Sequence, residues 1–145
     1  MWQDFVITLK EGRVQRRNIS GNSPYESIVG FSRAVKNGPF VTVGGTVATG
    51  DDGKIVGGND MYAQAVQTLK NIERALLAAG AGLRDVVRTR MFVTDISRWQ
   101  EVARAHGEVF RDIRPVATML QVVAMVSPEM LVEIEADAII AAEMP

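Results

Sequence analysis

Two periods run along the chain. In several short stretches apolar and polar residues alternate, and in two longer ones apolar residues recur every three to four positions. Phe5 to Leu9 alternates, meets the turn Lys10-Glu11-Gly12-Arg13, and returns through Val14 to Arg17, which predicts an N-terminal hairpin. Asn18 to Glu26 has the composition of a loop. Ser27 to Val35 reads as a strand with Val29, Phe31, Arg33 and Val35 on one face, joined by the turn Lys36 to Pro39 to a second strand, Phe40 to Val47. Asn59 or Asp60 then caps a helix running to about Ala79, with Tyr62, Val66, Leu69, Ile72 and Leu76 at helical spacing and Gly80 as its stop. Asp85 to Thr94 alternates again, Arg88, Arg90 and Phe92 on one face and Val87, Met91 and Val93 on the other. Ser97 and Gln100 have capping-box spacing for a second helix to about Arg111, striped by Trp99, Val102, His106, Val109 and Phe110. Two strands close the chain, near Val116 to Met125 and Leu131 to Ala141.

This order predicts an α+β protein: a mixed sheet with two helices packed on one face. Residues 1–145 form one domain, with residues 1–26 as a hairpin-and-loop extension. Two helices cover one face of the sheet only. The other is expected to carry Phe31, Val41, Val43, Phe92, Met119, Val123 and Met125 among its charges, and a half-apolar uncovered face predicts a homo-oligomer.

Composition narrows the chemistry. Hydrophobic residues make up 47% and charged residues 23%, an ordinary globular balance. With no cysteine there is no disulfide, thiolate nucleophile or Cys-based zinc site. His106 is the only histidine, so no metal is expected and a Ser-His-Asp triad has little material. The net charge is −1, and the cluster Arg13, Arg16 and Arg17 is diluted by Glu11 and Asp4, so nucleic acid is not an expected partner. No apolar run approaches the ~18 residues of a membrane span, and the start lacks the basic and apolar regions of a signal peptide. A cytoplasmic protein without a membrane partner is the expectation.

Glu133, Glu135 and Asp137 share one strand face. Either they pair across the sheet with Arg88 and Arg90, each pair contributing only ~0.2–1 kcal/mol, or a carboxylate lines a pocket at a subunit interface. Gly44-Gly45 inside a strand marks a bulge or a tight crossing, or places backbone N–H groups against a ligand carboxylate or carbonyl. His106 and Tyr62 fit helix packing as well as chemistry. Arg33, on a face with Phe31, is either an ordinary ion-pair member or the spare cation nearest the glycines.

The stretches "GFSRAVKNGPFVTVGGTV", "QAVQTLKNIERALLAAGAGLRDVVRTRMFVTD", "VARAHGEVF", "RPVATMLQVV" and "LVEIEADAI" resemble, in this order and spacing, the RidA/YjgF family, also labelled endoribonuclease L-PSP. The resemblance covers roughly Ser27 to Ile140. It implies a chorismate-mutase-like fold and a homotrimer with small-molecule clefts between subunits. For the active branch it implies hydrolysis of reactive imines and enamines to 2-oxo acids and ammonia without a cofactor. The family's water-orienting glutamate falls on Glu133 and its glycine on Gly45, while the serine before that glycine is Gly44 here. The pocket tyrosine falls on Phe31, the asparagine on Ala103 and the carboxylate-binding arginine on Ala117, with Met119 two residues further along the same strand. An arginine clamp on a carboxylate is worth roughly 2–4 kcal/mol. These replacements argue against the standard deamination of 2-iminobutanoate and 2-iminopropanoate. They leave three readings: an arginine-less hydrolase in which Glu133 positions water and Arg33, or an arginine of a neighbouring subunit, replaces the clamp; a non-catalytic trimer that binds an amine or apolar ligand; and, with least support, an endoribonuclease.

Overall fold

The computed structural model describes residues 15–141 in full and residues 4–7 by their backbone. Among the described residues seven strands form one sheet: β1 (Asp4–Ile7), β2 (Arg16–Ile19), β3 (Ala34–Asn37), β4 (Phe40–Thr46), β5 (Val86–Val93), β6 (Val116–Gln121) and β7 (Val132–Ile139). Their order across the sheet is β1-β2-β3-β4-β7-β5-β6. Every neighbouring pair is antiparallel except β5 and β6, which run parallel. The β1–β2 pair is the N-terminal hairpin; its turn at Lys10 to Arg13 lies outside the described residues. The α+β architecture therefore stands as the sequence predicts.

The helices α2 (Met61–Ala78) and α3 (Trp99–Phe110) pack together and cover one side of the sheet. Each follows a strand and is followed by one, the connection that a parallel pair requires; β7 inserts between β4 and β5. The core lies in this layer. Leu69, Ile72 and Leu76 of α2 and Val102, Ala105 and Phe110 of α3 are buried against Val132, Ile134, Ala136 and Ala138 of β7 and Met91 and Val93 of β5. Asp60 caps α2, its side chain accepting a hydrogen bond from the Ala63 N–H at 3.0 Å. At the other end Gly80 takes φ 82°, which lets the Ala81 N–H reach back to the Leu76 carbonyl at 2.9 Å.

Several local expectations change. Ser27 to Val35 is not a strand. Tyr25–Val29 is a short helix, α1, and β3 begins only at Ala34. The Glu26 carboxylate accepts from the Ser20 hydroxyl and the N–H groups of Gly21 and Ser23, all at 3.0 Å, and Gly30 at φ 82° ends the turn. These local bonds outweigh the alternation of Val29, Phe31 and Arg33. The expected Ser97–Gln100 capping box is absent. Asp95 takes both the Ser97 N–H at 3.0 Å and the Ser97 hydroxyl at 2.6 Å, capping a 3-10 turn at Ile96–Arg98, and the helix itself starts from Arg98 with no side-chain cap. The strand expected to reach Met125 ends at Gln121.

Val41 and Val43 lie on the helix side, at 1% and 0% exposure, not on the uncovered face. Val87 is exposed rather than aligned with Met91 and Val93, because the β5–β7 register shifts between Val86 and Arg88. Uncovered apolar surface is present nonetheless: the outer face shows Phe40, Val116, Leu120 and Ile139, all exposed. Among the described residues no helix is long and apolar enough to cross a membrane.

Gln64, fully buried on α2, ties the entry of β7 to the helix layer. Its amide donates to the carbonyls of Gly58 and Glu129, both at 2.8 Å, and its carbonyl accepts from the Leu131 N–H at 2.9 Å. Gln64→Ala strands these backbone groups, and a loss of roughly 2–4 kcal/mol of stability is expected. Urea unfolding monitored by circular dichroism measures it; an unchanged midpoint would show that the bonds contribute nothing net.

Candidate functional site

The register of β7 separates its three outward acids. Glu135 faces Arg90 across the ladder, Asp137 faces Arg88, and Glu133 faces Phe92. The Arg90 Nη1 lies 3.4 Å from both Glu135 Oε2 and Asp137 Oδ2, with all three side chains about one-third exposed. Cross-strand pairing thus accounts for Glu135 and Asp137, and such part-exposed pairs contribute about 1 kcal/mol or less. Among the described residues Glu133 has no ion pair within 4 Å. It is half-buried, and its ladder neighbour on β5 is Phe92 rather than an arginine.

A bulge makes room for it. Between Val43↔Ala136 and Thr46↔Ile134, β4 holds Gly44 and Gly45 where β7 holds only Glu135. A Cβ on Gly45 would stand 2.5 Å from Glu133 Oε1 and 3.0 Å from its Cδ, so only glycine at 45 lets that carboxyl lie where it does. Burial pushes the Glu133 carboxyl above the usual carboxylate range; the positive field of Arg33 opposes this and the charge of Glu135 adds to it.

Arg33 flanks the neighbouring glycine. Its Nη2 would be 3.5 Å from a Cβ on Gly44, and its aliphatic stem would lie 3.1 Å from a Cβ on Gly21. The Phe31 ring centre is 5.7 Å from the guanidinium carbon, within cation–π range. Arg33 Nε is buried without a hydrogen-bond partner. Burial lowers the Arg33 pKa while Glu26 and Glu133 raise it, and a guanidinium keeps its charge throughout. The Gly44 N–H is already spent on the Arg33 carbonyl at 3.0 Å, so it is not offered to a ligand.

One chain therefore brings together Phe31, Arg33, Gly44, Gly45 and Glu133, and it leaves Ala103, Ala117 and Met119 elsewhere. In the β5–β6 register Ala117 sits beside Thr89 and Met119 beside Met91, both on the helix side of the sheet, and Ala103 lies on α3 in that same layer. Edge strand β6 turns that side outward, leaving Ala117 exposed. His106 belongs to this lip: its Nε2 is 2.8 Å from the Thr89 hydroxyl, its ring packs 4.7 Å from Phe110, and burial lowers its pKa. Tyr62 is a helix-edge residue. It donates to Glu108 at 2.8 Å beneath the Arg104 guanidinium. Among the described residues no three His, Asp or Glu side chains converge as a metal site.

Two contributors escape a reading of the sequence. Glu26 looks like a loop residue until its three hydrogen bonds and its charge beside Arg33 are seen. Phe92 was visible as an outer-face residue, but its place opposite Glu133 depends on register.

Known proteins share this arrangement of elements. The family model described as Endoribonuclease L-PSP matches residues 21–140. An uncharacterized protein of Streptomyces coelicolor is 35% identical over 122 residues, 84% of this chain and 90% of its own. The 3-aminoacrylate deaminase RutC of Acinetobacter baylyi is 30% identical over 101 residues, 70% of this chain and 79% of its own. A crystal structure from Mycobacterium tuberculosis, described as a member of the YjgF/YER057c/UK114 family, superposes with a TM-score of 0.78 at 51% identity, covering 86% of this chain and 99% of that one. On the match of fold, sequence and family model together, this chain belongs to the RidA/YjgF family, the endoribonuclease L-PSP family.

Proposed function

We propose that this chain is a cofactor-free hydrolase of small imine- or enamine-type metabolites, working as a cytoplasmic homotrimer, with Glu133 handling the proton and the water. The observation that carries this reading is the separation of the acids: Glu133 alone escapes Arg90, lies over Gly45, and has its pKa raised by burial. A carboxyl that burial makes a weaker acid holds its proton more readily than a free one, and can serve as both donor and acceptor. Neutral, it protonates the imine nitrogen; ionised, it accepts a proton from water adding to the C=N carbon. The carbinolamine so formed expels ammonia and leaves a carbonyl. An enamine enters the same route after protonation at carbon. The relative named for deaminating 3-aminoacrylate, an enamine, supports this class.

The trimer is supported by the placement of the two half-sites. Glu133 and Ala117 lie on opposite faces of one chain's sheet, so a cleft holding both needs β6 of a second chain. The exposed Phe40, Val116, Leu120 and Ile139 supply apolar surface for such contact. Ala117, in the place of the family arginine, argues for a substrate other than the standard 2-imino acids, or a slower reaction on them. With Phe31, Ala103 and Met119 it also favours a second reading, a non-catalytic trimer that binds an amine or apolar ligand. A ribonuclease is disfavoured by the net charge of −1 and by His106 being engaged with Thr89 on the far side of the sheet from Glu133.

Three outcomes test this. Glu133→Ala is expected to lower kcat/KM for imine hydrolysis by at least about 100-fold; a variant as active as the parent removes Glu133 from the reaction. Ala117→Arg is expected to raise kcat/KM on carboxylate-bearing imines by roughly 30- to 1,000-fold, and no gain would mean that position 117 does not reach the substrate. The third concerns pH. A carboxyl whose folded pKa exceeds its unfolded value gives stability that is full below the unfolded pKa, about 4.3, and is lost as pH rises through the folded pKa. Glu133→Gln is therefore expected to melt above the wild type at pH 7, with the gap closing toward pH 4 in thermal denaturation. A constant gap would mean that Glu133 is not desolvated.

A further inference from the structure

We propose that His106 is a ligand-binding residue of the lip between α3 and β6, its Nδ1–H donating to an uncharged carbonyl oxygen of the amide or ester type. The proposal rests on the reading of the Ala117 side as half of the ligand cleft, and it names the chemistry that this side recognises.

The hydrogen-bond inventory places the proton. Thr89 is fully buried, and among the described residues its hydroxyl has one partner, His106 Nε2 at 2.8 Å. A hydroxyl always carries a proton to donate, and a buried donor left without an acceptor is costly. Nε2 is therefore the acceptor, and the neutral imidazole holds its own proton on Nδ1. Protonating Nε2 would turn that acceptor into a second donor and strand the Thr89 proton. Burial also lowers the His106 pKa, so the ring is neutral on both counts. Thr89 acts here as a positioning residue: it sets the tautomer and does not itself reach the ligand.

The Nδ1–H is unspent. Among the described residues Nδ1 makes no hydrogen bond, and the one side-chain polar atom buried without a partner is Arg33 Nε, so Nδ1 opens to solvent. Ala103 stands one turn earlier on the same face of α3, and Ala117 lies beside Thr89 on β6. Both side chains stop at Cβ and leave the ring uncovered. With Met119 they make an apolar surface that holds one donor, the composition of a small-molecule subsite. Burial is the only cause of the His106 shift, so no charged side chain of this chain acts on the ring. An ionised carboxylate would lose water here without meeting a cation. A neutral carbonyl loses far less and gains the N–H bond. In this tautomer Nδ1 has no lone pair to offer, so His106 binds the ligand and does not take a proton from it.

His106 is the only histidine, so long-range proton–nitrogen NMR of the intact protein reads its imidazole without ambiguity. The Nδ1–H tautomer is expected in the wild type, retained in Thr89→Ser and replaced by a mixture in Thr89→Val. Propionamide is expected to shift the His106 signals and, in calorimetric titration, to bind more tightly than propionate. His106→Phe, which keeps a ring beside Phe110, should weaken propionamide about 3- to 10-fold. His106→Gln, which keeps an N–H donor, should recover part of that loss. An Nε2–H tautomer in the wild type, propionate binding as tightly as propionamide, or propionamide binding that ignores His106→Phe would overturn the proposal. Should His106→Phe fail to fold, the wild-type tautomer and the propionamide-induced shifts decide it. The residues named lie in one chain, so the expected pattern in a monomer, or beside a Glu133→Ala variant that still hydrolyses imines, would remove the proposed trimer or the role of Glu133 and keep the inference. Imine hydrolysis lost in Glu133→Ala while propionamide leaves the His106 signals unmoved would remove the inference alone.

Discussion

Strand β7 is hydrogen-bonded on both sides and covered on one face only. Its backbone is fixed by β4 and β5, so every second residue must point into the helix layer and the rest away from it. Val132, Ile134, Ala136 and Ala138 meet α2 and α3, and their burial holds the register. The same constraint carries Glu133, Glu135, Asp137 and Ile139 to the open side. The acids of the outer face are thus a consequence of how the core is packed. A slip of one residue would bury three carboxylates.

What distinguishes Glu133 among them is a defect in the neighbouring strand. The glycine bulge in β4 removes side chains at the point where Glu133 crosses it, and the carboxyl settles into that space at a cost in hydration. Arg33 offsets part of that cost from the far side of the bulge. Glu135 and Asp137 keep an ordinary surface partner in Arg90. Charge, burial and backbone irregularity converge on one short stretch of β4. That convergence is a more specific sign of a ligand site than the acidic row itself.

Among the described residues the helices leave one face of the sheet open, and edge strand β6 turns Ala117 toward open space. The residues that the family resemblance groups in one cleft fall into two sets on opposite sides of the sheet. Gly45 and Glu133 stand on one side, Ala103, Ala117 and Met119 on the other. No movement within one chain unites them without breaking the β5–β6–β7 ladder, which is the ground for the proposed trimer.

The sequence alone determined the α+β class, both long helices, the order of the main strands around them and the family. Hydrophobic period, Asp60 and Gly80 act locally, and the helix-side residues of β7 alternate without interruption. It also offered a bulge as one reading of Gly44-Gly45, and a spare cation as one reading of Arg33. It misread Ser27 to Val35, where the bonds of Glu26 and the left-handed Gly30 prevail over alternation, and it misplaced Val41 and Val43, since parity along a strand does not say which face the helices will take. Which acid is paired and which is desolvated was settled only by register, because Glu133, Glu135 and Asp137 are equivalent in the pattern and differ only in what lies opposite. The separation of Glu133 from Ala117 is likewise tertiary: spacing along the chain carries no information about the side of a sheet on which two distant strands present their residues.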